Sequence, residues 1–102
     1  MNDSKLLMEE IVKIADSKKA RDIVVLQVDD KTTLTDYFVI MTGTSNTHIR
    51  ALGDEIEFKV KENLEIMPHH HEGVNSNWVL VDYTGVGVNI FPVSYTHLTL
   101  PT

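Results

Sequence analysis

Apolar positions change their spacing along the chain in an orderly way, and each spacing predicts an element. Leu7, Ile11 and Ile14 recur at helical intervals with Met8, Val12 and Ala15 beside them, behind Asp3 and Ser4 as candidate caps. This predicts an amphipathic helix. Residues 23–28, Ile-Val-Val-Leu-Gln-Val, are β-branched and apolar on both faces, which is expected of an interior strand covered on each side. Asp29-Asp30-Lys31 supplies a polar turn. A second two-faced run, Tyr37-Phe38-Val39-Ile40-Met41, stops at Thr42-Gly43-Thr44-Ser45-Asn46, where glycine frees the backbone and Ser45 or Asn46 is placed to cap a helix. Ile49, Leu52, Ile56, Val60 and Leu64 then fall three or four apart, with Glu57 and Lys61 four apart beside them, which predicts a second amphipathic helix. Gly53 in its middle costs about 1 kcal/mol relative to alanine. It is expected to mark close packing of helix on sheet rather than a break.

A His-rich extended segment runs from Pro68 to Gly73, and Asn75-Ser76-Asn77 makes a turn. Residues 78–83 and 86–91 then predict two strands joined by Thr84-Gly85, a connection of hairpin length. The order helix, strand, strand, helix, weak strand, strand, strand predicts an α/β or α+β fold, a single mixed β-sheet flanked by helices. With 102 residues the chain fits one domain, placed here at residues 1–91. Residues 92–102 contain no Asp, Glu, Lys or Arg and hold two of the three prolines. This atypical tail reads as non-native sequence joined to a truncated frame.

Composition narrows the function classes. The absence of cysteine removes disulfides, thiolate metal sites and cysteine nucleophiles, and makes the cytoplasm the expected location. No run approaches 18 apolar residues, and Asp3, Glu9 and Glu10 occupy the region where a signal peptide needs basic and then apolar residues, so membrane spanning and export are disfavoured. A net charge of -6 opposes a phosphate backbone, and Lys18, Lys19 and Arg21 form the main basic cluster. A basic protein partner is therefore expected rather than sequence-specific nucleic acid.

Three features invite chemistry. Gly43-Thr44-Ser45 opens a helix after a strand, a geometry that holds phosphate with free amides. Nucleotidyltransferases that use such a turn also need paired carboxylates for metal ions, and Asp82 has Leu80 and Thr84 at its same-face positions, so the acid pair is missing. His69 and His71 share one face of an extended segment and offer two imidazoles to zinc, but a site needs three or four ligands, and His48 and His97 lie in distant elements. Ser45 and His48 lack an orienting carboxylate, so a hydrolase is not supported. No metal, cofactor or catalytic residue is assigned. Finally, Trp78, Leu80 and Asp82 share one strand face and Val79, Val81 and Tyr83 the other. If the valines point inward, Trp78 and Leu80 form an apolar patch beside an acid, suited to a basic protein surface. Trp78 as a core residue is the equal alternative.

The strings Ala20-Arg21-Asp22-Ile23-Val24-Val25-Leu26, Leu34-Thr35-Asp36-Tyr37-Phe38-Val39-Ile40, Gly43-Thr44-Ser45-Asn46, Glu72-Gly73 and Trp78-Val79-Leu80-Val81-Asp82-Tyr83 closely resemble, in unbroken order over about residues 5–91, the ribosomal silencing factor (Iojap-like) family. The resemblance implies a nucleotidyltransferase-like fold without the metal-binding acids. It also implies a cytoplasmic, non-enzymatic translation repressor that binds ribosomal protein fourteen of the large subunit and sterically blocks subunit association, and that forms homodimers when free. Carried onto this chain, the protein-binding positions are Trp78, Leu80, Asp82 and Tyr83, with Asp36 and Tyr37 as fold or surface contributors. Two departures stand out. Asn89 replaces a histidine usual in the family, and nothing after Phe91 matches the family's charged terminal segment. The rival readings are a small nucleotide-binding nucleotidyltransferase and a generic dimerising interaction module.

Overall fold

The computed structural model describes residues 3–28, 35–73 and 77–93. The expected turns at 29–31 and 75–77 fall wholly or largely outside these residues, as does most of the 92–102 tail. The elements are α1 (Asp3–Ser17), β1 (Arg21–Gln27), β2 (Tyr37–Gly43), α2 (Asn46–Leu64), β3 (His70–Glu72), β4 (Val79–Tyr83) and β5 (Val86–Pro92). The expected order holds throughout, and β5 runs one residue past the anticipated domain end. The five strands form one mixed sheet in the order β1-β2-β5-β4-β3, with β2 and β5 parallel and every other neighbouring pair antiparallel.

Both helices lie on one face of this sheet. Leu7, Ile11, Ile14 and Ala15 of α1 and Ile49, Leu52, Ile56 and Val60 of α2 are buried against alternate strand residues, among them Val39, Met41, Val81, Val88 and Ile90. Period 3.6 on the helices and period 2 on the strands thus converge on one core, which is what fixes the sheet register. Ser45 caps α2, its Oγ accepting from the His48 backbone N–H at 3.1 Å. Glu65 closes the helix in the left-handed region, its N–H donating to Lys61 O at 2.9 Å. Gly53 does mark close packing within an unbroken helix, because a Cβ there would stand 2.9 Å from Val79 Cγ1 and 3.1 Å from the His71 ring.

The expectation for residues 23–28 is corrected. Residues 23–27 do fall in a strand, with Val28 just beyond it, but β1 is an edge strand and is mostly exposed, with Val24 46% and Leu26 48% accessible. Parallel pairing of β2 with β5 around α2 takes the centre of the sheet, so β1 is left with one neighbour and α1 over one side. A two-faced apolar pattern reports that both faces avoid water. It does not say that this chain supplies the cover.

Candidate docking surface

The helix-free face of the sheet carries the remaining strand positions. Val24 and Leu26 stand opposite Ile40 and Phe38, Phe38 stands opposite Gly87, and Leu80 stands opposite Asn89. Phe38 is 38% and Trp78 40% accessible. An apolar surface therefore crosses from β1 to β4 with no helix over it among the described residues, the kind of contiguous patch that marks an interaction site.

Trp78 is a surface residue. Its indole stacks on Phe91 with centroids 6.3 Å apart and planes 10° from parallel, and its Nε1 donates to Asn89 Oδ1 at 3.3 Å. Phe91 lies two residues beyond Asn89 on the same face of β5, so the strand's alternation builds a platform that holds the indole flat. The Asn89 carboxamide supplies the acceptor here. Neither Asn89 nor Phe91 was singled out from sequence as a site residue. The signal available was their two-residue spacing opposite the Trp78 strand across the hairpin.

Leu80 and Asp82 flank this platform, both partly buried and on the same open face. Asp82 stands opposite Gly87 on one side and His70 on the other, and its face-sharing neighbours on β4 and β5 are not acidic. Tyr83 is corrected as a contact residue: it sits on the helix face with Val79 and Val81, 2% accessible. Alternation along β4 places it opposite to Asp82. Tyr37 is likewise core, whereas Asp36 is exposed and its backbone N–H donates to Gly85 O at 2.8 Å.

Tyr83 Oη is buried without a hydrogen-bond partner among the described residues. Burial first, and the Glu57 carboxylate second, push its phenol well above the ordinary value of about 10. The folded chain keeps this proton where the unfolded chain loses it. Stability is therefore expected to fall as pH rises past about 10, with a slope approaching about 1.4 kcal/mol per pH unit. Tyr83→Phe should abolish that slope and leave neutral-pH stability unchanged or raised by up to about 1 kcal/mol, because it removes an unsatisfied hydroxyl. Urea melts at pH 7 and above pH 10 check both outcomes.

The other candidate chemistry is structurally committed. Thr44 N–H donates to His48 Nδ1 at 2.8 Å, which leaves Nε2 to donate to Lys18 O at 2.9 Å. His48 thereby ties the α1–β1 turn to the start of α2. With the Thr44 amide bound to His48 and the His48 amide bound to Ser45, two of the donors a phosphate turn would offer are already satisfied. His71 turns toward α2, its Nδ1 donating to Glu57 Oε1 at 2.5 Å, while the His69 ring contacts the Thr84 hydroxyl. The two imidazoles do not converge, and among the described residues no three His, Asp or Glu side chains gather as a metal site.

The family model described as "Ribosomal silencing factor during starvation" matches residues 1–94. The chain belongs to this family. It is 36% identical over 88 residues to the ribosomal silencing factor RsfS of Bacillus subtilis, covering 81% of this chain and 74% of that protein. A crystal structure from Chromobacterium violaceum superposes with a TM-score of 0.83 at 25% identity, covering 100% of this chain and 92% of that one. The mouse protein named for mitochondrial assembly of the ribosomal large subunit is 30% identical over 91 residues, of which this chain spans 40% of the length.

Proposed function

We propose that this chain is a non-enzymatic silencing factor that docks the open sheet face, centred on Trp78, Leu80 and Asp82, onto ribosomal protein fourteen of the large subunit. The observation that carries the reading is the stacked and half-exposed Trp78–Phe91 pair on an uncovered apolar face in a member of the ribosomal silencing factor family. A rigid aromatic anchor ringed by apolar and acidic neighbours is the usual centre of a protein interface, and Asp82 complements a basic partner. A body of this size on the intersubunit surface obstructs the small subunit, so repression is steric and takes place in the cytoplasm. Among the described residues no helix is long and apolar enough to cross a membrane.

The reading is tested by sedimenting the protein with purified large subunits and then adding small subunits. The expected result is comigration with the large subunit and fewer joined ribosomes. Free protein at the top of the gradient, with normal joining, refutes it. Capture of a non-ribosomal partner instead would favour the generic interaction module.

When free, the chain is proposed to dimerise across the β1 edge, where Val24, Val25 and Leu26 are exposed on a strand paired on one side only. Val25 faces the helix side, opposite Val39, and so lies off the docking face. Val25→Lys is expected to shift the protein to monomer in analytical ultracentrifugation while leaving large-subunit binding within about twofold of wild type, an amount within the usual effect of a residue outside an interface.

A further inference from the structure

Three of the nine basic side chains, Lys18, Lys19 and Arg21, fall within four positions on a chain of net charge -6. The fold gathers them around one surface pocket of about 440 Å³, whose wall is completed by Thr44 and His48 among others and contains no acidic residue. Among the described residues none of the three cations forms an ion pair. Asp16, the acid nearest in sequence on α1, lines a different groove with Met8 and Val12.

The pocket lies between the end of α1 and the start of α2, and Arg21 on its wall connects it to the docking face. Arg21 stands opposite Thr42, and Thr42 stands opposite Phe91, which carries the Trp78 indole. Adjacent strands run about 4.8 Å apart, so the Arg21 backbone lies about 10 Å from that of Phe91 at the same end of the sheet. A partner seated on the aromatic platform therefore brings its flanking surface over these cations. Beside a ribosomal protein the dense anion at that range is RNA, whose phosphates take Lys and Arg contacts without regard to base sequence. We infer that this pocket seats backbone phosphates of ribosomal RNA when the sheet face is docked on the large subunit. The inference rests on the docking reading above and adds a second, electrostatic contact to it. The remaining acidic surface disfavours free RNA, so the pocket acts only once the platform has placed it.

The experiment measures equilibrium binding to purified large subunits, and in parallel to isolated ribosomal protein fourteen, across a salt series. The triple variant K18Q/K19Q/R21Q is compared with wild type and with K59Q/K61Q, which removes charge toward the opposite end of α2. Each lost phosphate contact flattens the log affinity against log salt line by about 0.7 to 0.9, so the triple variant should show a slope shallower by about 2 and at least about tenfold weaker binding at low salt. Binding to the isolated protein should be unchanged, and the control variant should follow wild type. Equal slopes for triple variant and wild type, or an equal loss on the isolated protein, overturn the inference while the docking reading stands. Failure of wild type to bind large subunits removes both.

Discussion

Gly73→Ala is expected to destabilise the fold by about 3 kcal/mol, at the upper end of what a single backbone substitution does. Gly73 has φ +98, outside the range that residues with a Cβ adopt without strain, and a Cβ built there would lie 2.0 Å from the Trp78 carbonyl oxygen. The obstacle is backbone at the mouth of β4, so relief requires moving the strand and not a side-chain tip. Positive φ alone costs about 1 kcal/mol or more, and displacing Trp78 from Phe91 and Asn89 adds lost stacking and a broken hydrogen bond. For a domain of this size the midpoint of thermal unfolding should drop by about 12 °C or more. A scanning calorimetry shift below about 3 °C would mean that the chain passes this point without the tight approach. Gly73→Asn, which tolerates the left-handed region but keeps the clash, separates the two causes: a loss as large as alanine's assigns the effect to space.

That position shows how sequence and structure divided the work. The pair Glu72-Gly73 is among the strings that carry the resemblance, but nothing in its spacing reveals that glycine is there to let the chain pass beneath a carbonyl five residues on. The elements themselves were legible because each helix carries one apolar stripe and each main strand is a short β-branched or aromatic run bounded by turn residues. Leu7, Ile11 and Ile14 announce both the element and the side that is buried, whereas Val79 and Val81 announce the strand without settling which of its faces is covered. Gly53 was legible for a related reason, since a helix-breaking residue inside a strong stripe needs a packing explanation. The hairpin at Thr84-Gly85 was also readable, and Gly85 adopts φ +91 there.

What could not be read was the partner of each apolar face. Residues 23–28 and 37–41 carry the same two-faced composition, yet one run is an edge strand and the other lies inside the sheet. Strand order is a long-range property, set here by the parallel β2–β5 pairing around α2, and no local pattern encodes it. The same blindness left Trp78 undecided between core and surface. Once Val79 and Val81 were fixed against α2, pleat alternation left Trp78, Leu80 and Asp82 no other side.

Trp78→Ala is therefore expected to weaken large-subunit binding by about 30-fold or more, the loss typical of truncating an aromatic anchor at an interface centre. It removes the outer ring of the platform and exposes Phe91, but the indole is already 40% accessible. The cost to folding should stay near about 1 kcal/mol, and thermal melts distinguish the two effects. Asn89→Ala, which frees the indole without deleting it by removing the 3.3 Å acceptor, should give a smaller loss of about threefold to tenfold, since it disorders the anchor and leaves its area in place. Asp82→Lys should weaken binding chiefly through slower association with a basic partner, an effect that shrinks as salt is raised. The three variants thus rank by mechanism: lost contact, lost pre-organisation, reversed charge. Trp78→Ala binding within twofold of wild type, with its fold intact, would place the docking surface elsewhere on the molecule.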